Sequence, residues 1–183
     1  MAIHTVDLLN YLDGLLTPGQ FKDYAPNGLQ VEGKLTVSHL VAGVTASQAL
    51  VDAAIECKAD ALLVHHGYFW RNESSPLVGI KKNRIKALLT HDINLIAYHL
   101  PLDCHGQLGN NAQLGQLMGW QSDAHMQSSG ITGLGLCATL AQPCSGLQVQ
   151  QQLSQVLGRE VLHIDAPGTV IKRIGWCTGG AQG

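Results

Sequence analysis

The amino-acid sequence predicts an α/β protein with a largely parallel sheet. Residues 61–66 and 95–100 are nearly continuous aliphatic runs, which is typical of parallel strands covered on both faces. The stretches between such runs carry apolar residues at helical spacing, as expected for βαβ crossovers. With 183 residues, 45% of them hydrophobic, the chain is long enough for one large domain or two small ones.

The first half of the chain alternates helices and strands. Thr5 is a suitable N-cap for the first helix, and Pro18 and Gly19 end it. The following segments have the apolar periods of strands and helices, and punctuating glycines and prolines separate them. In chain order, we expect a helix over 4–16, a strand over 40–45, a helix over 47–57, a strand over 61–66, a helix over 83–91, a strand over 95–100 and a helix over 110–118.

The second half of the chain repeats this pattern in part. Residues 121–130 are polar and lack periodicity, so we place a boundary there. Residues 174–182 resemble residues 40–48 in their order of apolar residues, threonine and small residues, which indicates a second copy of the first unit. We therefore expect a first α/β repeat over 1–122 that carries the metal ligands, and the start of a second over 131–183. Its elements are a strand over 134–140, a helix over 147–157 and strands over 161–164 and 170–178.

The second copy is incomplete. Nothing after Gly183 corresponds to the helix, the histidine-bearing strand and the last strand–helix pair of the first copy. A strand that ended there would leave its sheet edge uncovered. We therefore expect this chain to be a C-terminally truncated piece of a longer protein.

Composition restricts the partners and the compartment. The formal charge of -2 provides no overall basic field for nucleic acid or anionic lipid, so nucleic-acid binding is not expected. The sequence contains neither a secretory signal nor an apolar run of about 18 residues, so we expect no membrane association. The cysteines are odd in number and form no C-x-x-C pair, which favours reduced thiols in the cytoplasm; they are Cys57, Cys104, Cys137, Cys144 and Cys177.

Histidines and a carboxylate follow two of the predicted strands. His65 and His66 end the first, while His99 and Asp103 follow the second. The carboxyl ends of parallel strands meet at one sheet edge, where ligands bind in open α/β sheets. Neighbouring strand residues point to opposite faces, and Gly67 allows a turn that splays the two imidazoles, which suits two ions better than one. This mixture of ligands favours zinc, iron, manganese, cobalt or nickel over a structural thiolate zinc.

Two alternatives stay open at this point. One or two of these histidines could simply form hydrogen bonds at the strand ends, although an adjacent pair plus His-x-x-x-Asp favours metal. The aromatic segment 68–71 after Gly67 fits a pocket wall as well as it fits a loop cover or a subunit contact.

These residues resemble a known family, the NGG-one-interacting-factor-three-like proteins, also called GTP cyclohydrolase I type 2 homologues, and their bacterial branch in particular. The matching segments span most of residues 26–111; they are Pro26–Gly33, Gly43–Ser47, Ala59–Gly67, His99–Asp103 and Gly109–Asn111. The resemblance implies two intertwined α/β repeats with mixed, mostly parallel sheets flanked by helices. It also implies a dinuclear metal centre and a ring-shaped homohexamer.

The resemblance also implies roles for individual residues. His65 and Asp103 correspond to ligands of one metal ion, His66 to a ligand of the other, and His99 to a residue that lines the site. The family completes the centre with a His-x-x-x-Glu near its C-terminus. This sequence has no histidine or glutamate after His163, so those ligands are missing from it.

The first functional hypothesis is a metal-dependent hydrolase with two divalent ions. His65, His66 and Asp103 hold metal in it, and His99 is the catalytic residue that orients water or carries a proton. The family name implies a purine nucleotide as substrate, but the sequence has no P-loop or G-x-G-x-x-G to bind a triphosphate. The second hypothesis is a non-enzymatic metal-binding hexameric ring that acts through protein or DNA partners, and a metal store is the third.

Overall fold

The computed structural model of the chain describes residues 2–126 and 134–179. The chain divides into two compact units, Met1–Leu102 and Asp103–Gly183. This division is based on compactness, whereas the predicted boundaries at 122 and 131 separate two repeats of a sequence pattern. The division into compact units does not test the repeat boundaries, which stay a prediction. Part of the predicted boundary segment 121–130, and residues 131–133 and 180–183 of the predicted second repeat, lie outside the described residues.

The first unit contains a four-stranded mixed sheet in the order β2-β6-β5-β4 and a small antiparallel ladder of β1 with β3. Strands β4, β5 and β6 are parallel, and β2 is antiparallel to β6. This confirms the predicted α/β fold with a mixed, mostly parallel sheet flanked by helices. The elements are β1 (Ile3–His4), α1 (Thr5–Leu16), β2 (Gly28–Val31), β3 (Thr36–Val37), β4 (Leu40–Thr45), α2 (Gln48–Glu56), β5 (Ala61–His66), α3 (Gly79–Thr90) and β6 (Asn94–Ala97).

Strands β5 and β6 are covered on both faces of the sheet, which explains their aliphatic runs. Leu62 and Val64 point to the face that packs against α2 and α3, where Val51 and Leu88 are buried. The alternate residues of β5 and β6 point to the opposite face, which packs against Leu12 and Leu16 of α1. Most positions of β5 and β6 therefore lie in one core or the other, and the period-two alternation of a half-exposed strand is absent from these two strands.

Three expectations for this unit need correction. Helix α3 begins at Gly79, four residues before the predicted start, and no side chain caps its first turn. Strand β6 ends at Ala97: the N–H of Tyr98 still donates to the carbonyl of Val64, but beyond it side chains are the acceptors, Asn27 for His99 N–H and Asp23 for Leu100 N–H. Strand β2 was not predicted, since four residues with an irregular register give no usable period.

The second unit contains an antiparallel sheet in the order β7-β8-β9 with helices α5 and α6. Helix α4 (Leu100–Asp103) belongs to the first unit except for its last residue. The elements of the second unit are α5 (Asn110–Met118), β7 (Ala124–His125), β8 (Leu136–Cys144), α6 (Gly146–Leu157) and β9 (Ile171–Trp176). Helix α6 starts with a capping box formed by Ser145 and Gln148. Among the described helices of the chain, none is long and apolar enough to cross a membrane.

The predicted strand over 161–164 is wrong. The backbone of Val161 bonds to α6 instead of a strand, because its N–H donates to Ser154 Oγ and its carbonyl accepts from Gln150 Nε2. Leu162 and Ile164 are 89% and 87% exposed, so the apolar alternation here does not mark a buried face.

Gly33 is expected to tolerate no side chain. A Cβ there would lie 2.5 Å from the carbonyl oxygen of Asp92 and 2.7 Å from the backbone nitrogen of Asn94, neither of which can move aside. We expect Gly33→Ala to lower the free energy of unfolding by about 2–3 kcal/mol, measured by urea denaturation. The control is Gly14→Ala in α1, where the space is open and helix propensity predicts unchanged or slightly higher stability. Equal effects of the two substitutions would contradict the prediction.

Candidate metal centre

His65 and His66 lie at the carboxyl end of β5, the strand that has sheet partners on both sides. Ala61, Leu62 and Val64 of this strand are buried, and the two histidines are half-buried. Their ring centroids are 4.4 Å apart with an interplanar angle of 43°. The two imidazole rings are therefore close neighbours, whereas strand alternation predicted that they point away from each other.

His99 joins this pair from the next strand. It follows β6 by two residues, and its ring centroid lies 5.0 Å from that of His65 and 5.7 Å from that of His66. The parallel pairing of β5 with β6 brings the two strand ends together. The structure thus places three of the four residues singled out in the sequence in one cluster.

Each of the three imidazoles bonds to the protein through Nδ1. Nδ1 of His65 lies 3.1 Å from the carbonyl oxygen of Tyr98, and Nδ1 of His66 lies 3.1 Å from Thr45 Oγ1. Nδ1 of His99 lies 2.7 Å from Asp23 Oδ1. A carbonyl and a carboxylate only accept, so Nδ1 of His65 and His99 carries the proton, and in a neutral ring the lone pair is on Nε2.

The cluster fits a divalent metal ion. His65, His66 and His99 each offer one ligand atom, and these atoms lie within 4.8 Å of one another. Two nitrogens on a tetrahedral zinc are about 3.4 Å apart, so modest side-chain movement brings the set into range. A histidine whose other nitrogen is held by a carbonyl or carboxylate is also the usual arrangement of a metal-binding imidazole.

Asp23 is a component of this site that the sequence did not reveal. Its side chain is 3% exposed and bonds to the ring of His99. Burial raises the pKa of this carboxyl, whereas hydrogen bonds to His99, Asn27 and two backbone N–H groups lower it, and the net result is a pKa of about 2. The only signal in the sequence was its place beside the Pro26–Gly33 segment that carries the family resemblance.

The aromatic segment after the histidines provides part of the wall. The Trp70 ring stands edge-on to His99, with centroids 4.9 Å apart at 84°, and lies 6.0 Å from the ring of His66. Tyr68 instead belongs to the core, where its hydroxyl donates to the carbonyl of Ala46 and burial raises its pKa to about 12. The pocket-wall interpretation therefore holds for Trp70, and a subunit contact stays a prediction.

Gly67 is required by close packing rather than by an unusual backbone angle. A Cβ at this position would lie 2.1 Å from Gln30 Oε1 and 2.8 Å from the Cβ of Ala97. The same Gln30 oxygen accepts from Tyr68 N–H at 2.7 Å. The glycine thus lets the chain pass against β2 directly after the histidine pair, which differs from the turn expected from the sequence.

Asp103 lies in the second unit. It ends α4, is only 5% exposed, and its Oδ1 accepts a hydrogen bond from Asn110 Nδ2 at 2.8 Å. Together with burial, the negative charge of Asp103 raises the pKa of the Cys177 thiol. Its role as a metal ligand stays a proposal.

Comparison with other proteins gives consistent results. A "GTP cyclohydrolase 1 type 2 homolog" of Pseudomonas aeruginosa is 48% identical over 183 residues, which cover 100% of this chain and 72% of the relative. The Vibrio cholerae protein of the same name is 51% identical, with 98% and 72% covered. The chain thus spans about 72% of the length of these relatives.

Solved structures agree with the sequence relatives. A structural-genomics structure described as "protein ybgI, unknown function" has a TM-score of 0.92 and 46% identity over 98% of this chain and 71% of its own. The Staphylococcus aureus hypothetical protein SA1388 has a TM-score of 0.84 at 19% identity, covering 98% of this chain and 73% of its own, and supports the fold alone. The model of one family matches residues 3–183 of the sequence. The chain therefore belongs to the Duf34/NIF3 (NGG1p interacting factor 3) family.

Proposed function

We propose that this protein is a metal-dependent hydrolase of a phosphate- or nucleotide-type substrate. The observation that carries the proposal is the cluster of His65, His66 and His99, whose ligand atoms lie within 4.8 Å of one another. In two of these rings an acceptor-only protein group holds Nδ1 and leaves the lone pair on Nε2. Hydrogen bonding at a strand end alone does not require three imidazoles to converge.

The proposed centre holds two divalent ions of zinc, iron, manganese, cobalt or nickel. His65, His66 and Asp103 are the proposed ligands, as the family resemblance implies. A bound divalent ion supplies a Lewis acid that polarises a substrate oxygen and makes water more acidic. His65 and His66 are half-buried, so this part of the proposed centre is not sealed in the core.

His99 is the proposed proton carrier. Its ring is 17% exposed at the side chain and has the Asp23 carboxylate behind it. A carboxylate on Nδ1 stabilises the imidazolium that forms when Nε2 takes a proton. Trp70 packs edge-on beside the ring and limits the directions from which water approaches it.

The name shared by the relatives makes purine nucleotides the first compounds to test. A name that itself records homology is a weak guide to the reaction, because one fold carries many activities. Phosphomonoesters and phosphodiesters belong in the same screen, since they need no triphosphate-binding loop.

Hydrolysis by the metal-loaded chain tests the proposal. Protein loaded with zinc, manganese, iron, cobalt or nickel is assayed against GTP, other nucleotides and p-nitrophenyl phosphate, and metal content is measured by elemental analysis. We expect turnover that falls at least about 100-fold in His66→Ala and Asp103→Ala. The control is His91→Ala, an exposed histidine at the end of α3, which should retain turnover.

Two results would contradict the proposal. Activity that survives complete metal removal excludes metal-dependent hydrolysis. Protein that binds metal but hydrolyses none of the compounds, and that forms hexamers by light scattering, favours the non-enzymatic ring acting through protein or DNA partners.

A further inference from the structure

The carboxylate of Asp23 is saturated with hydrogen-bond donors. Oδ1 accepts from His99 Nδ1 at 2.7 Å and from Tyr24 N–H at 2.6 Å. Oδ2 accepts from Asn27 Nδ2 at 3.0 Å and from Leu100 N–H at 2.8 Å. With 3% of the side chain exposed, water contributes little to this arrangement. The direction of the carboxylate is thus determined by four protein donors on two chain segments, 24–27 and 99–100.

These bonds hold His99 by its ring and by its backbone. Asp23 binds the imidazole and the N–H of the following residue, while Asn27 Oδ1 accepts the N–H of His99 itself at 2.8 Å. The backbone of the loop 23–27 also bonds to the aromatic segment 68–71, because the guanidinium of Arg71 donates to the carbonyl of Asp23 at 3.1 Å. The loop 23–27 therefore leaves His99 little freedom to rotate.

We propose that Asp23 is a positioning residue, which fixes His99 in the Nδ1–H tautomer and so keeps the lone pair of Nε2 for the imidazole cluster. A carboxylate has no proton to donate, so the ring must present N–H to it. A similar pairing orders the tautomer of many functional histidines. The inference rests on the proposed function only for the use to which Nε2 is put, because the tautomer itself requires neither metal nor substrate.

Asp23→Asn separates the two possible roles of this residue. Asparagine has one acceptor oxygen and one NH₂ donor, so it can satisfy only one side of the site. The part-buried N–H of Leu100 and the amide of Asn27 both need a protein acceptor, whereas the N–H of Tyr24 on the His99 side is exposed and can donate to water instead. This difference directs the oxygen to Leu100 and Asn27 and the NH₂ group towards His99. Nδ1 must then accept, and the ring proton moves to Nε2.

Nitrogen-15 NMR of histidine side chains provides the first test. At a pH where the ring is neutral, the metal-free wild-type chain should show the Nδ1–H tautomer at His99, assigned by loss of its signals in His99→Gln. Asp23→Asn should shift the signal to the Nε2–H form. Asp52→Asn is the matched control, since Asp52 is an exposed carboxylate that accepts from Gln48, and it should change nothing. A wild-type His99 in the Nε2–H form would overturn the proposal without any variant, as would an unchanged tautomer in folded Asp23→Asn.

A double-mutant cycle on turnover provides the second test. In the Co²⁺-loaded chain, Asp23→Asn should lower turnover by about 10–100-fold when His99 is present and have almost no effect when His99 is already alanine. An equal loss in both backgrounds would show a general structural role and overturn the proposal. If the wild-type chain binds no Co²⁺, the proposed function fails, while the metal-free NMR result still decides the role of Asp23.

Discussion

His65→Ala is expected to weaken the binding of Co²⁺ or Zn²⁺ by about 100-fold or more, beyond the range typical of residues that only support a ligand. His65 is the central ring of the cluster, with His66 at 4.4 Å and His99 at 5.0 Å between centroids. Its orientation is already fixed by the carbonyl of Tyr98, so little side-chain entropy is lost on binding. Removing it takes away one nitrogen donor and leaves His66 and His99, whose ring centroids are 5.7 Å apart.

Isothermal titration and the visible absorption of bound Co²⁺ measure this change. The imidazole is half-buried, so alanine should cost little stability, and circular dichroism should show an unchanged fold. His91→Ala, whose ring is exposed at the end of α3, keeps full affinity in the same assay. Wild-type affinity in His65→Ala would remove this ring from the metal site.

Asp60→Ala is expected to lower the free energy of unfolding by about 3 kcal/mol or more. The side chain lies between β5 and the loop before β4, and the residue is 7% exposed. One oxygen accepts from Lys34 Nζ at 2.6 Å, and the other from the N–H and hydroxyl of Ser38 and the N–H of His39. Alanine leaves these donors without their acceptor, and it opens a cavity at the start of the central strand.

Urea denaturation measures this loss, with Asp52→Ala as the matched control. Asp52 is exposed on α2 and accepts only from Gln48 among the described side-chain hydrogen bonds, so its replacement should cost a few tenths of a kcal/mol. A similar small effect for Asp60→Ala would show that the carboxylate does not organise the loop.

Acid should weaken the protein through the same carboxylate. The hydrogen bond from Lys34 and those from Ser38 and His39 hold the pKa of Asp60 far below its usual value. A group whose pKa is lower in the folded state stabilises the fold above its unfolded pKa of about 3.9, and this contribution disappears as the pH falls further. The unfolding free energy of the wild type should therefore drop below about pH 4, and Asp60→Asn should show a shallower drop.

Local sequence pattern was sufficient to predict the limits of elements that are largely buried or whose ends are marked by capping or helix-breaking residues. The aliphatic run 61–66 identified β5 to the residue, and helix α5 has the predicted limits 110–118. The βαβ order then placed the ends of β5 and β6 at one edge, which brought His65, His66 and His99 together. These predictions succeeded because chain direction and period alone determine them.

Asp23 could be found only in the folded chain. It lies 76 residues before His99 in a segment without periodicity, and nothing local distinguishes its carboxylate from those of exposed aspartates. Side-chain hydrogen bonds to the backbone also explain two wrong strand predictions. Asn27 and Asp23 accept the backbone N–H groups that follow β6, and side chains of α6 bond to the backbone of Val161. Sequence pattern indicates the local preference of a residue. The role of Asp23, the end of β6 and the course of residues 161–164 depend instead on hydrogen bonds to groups that only the folded chain brings close.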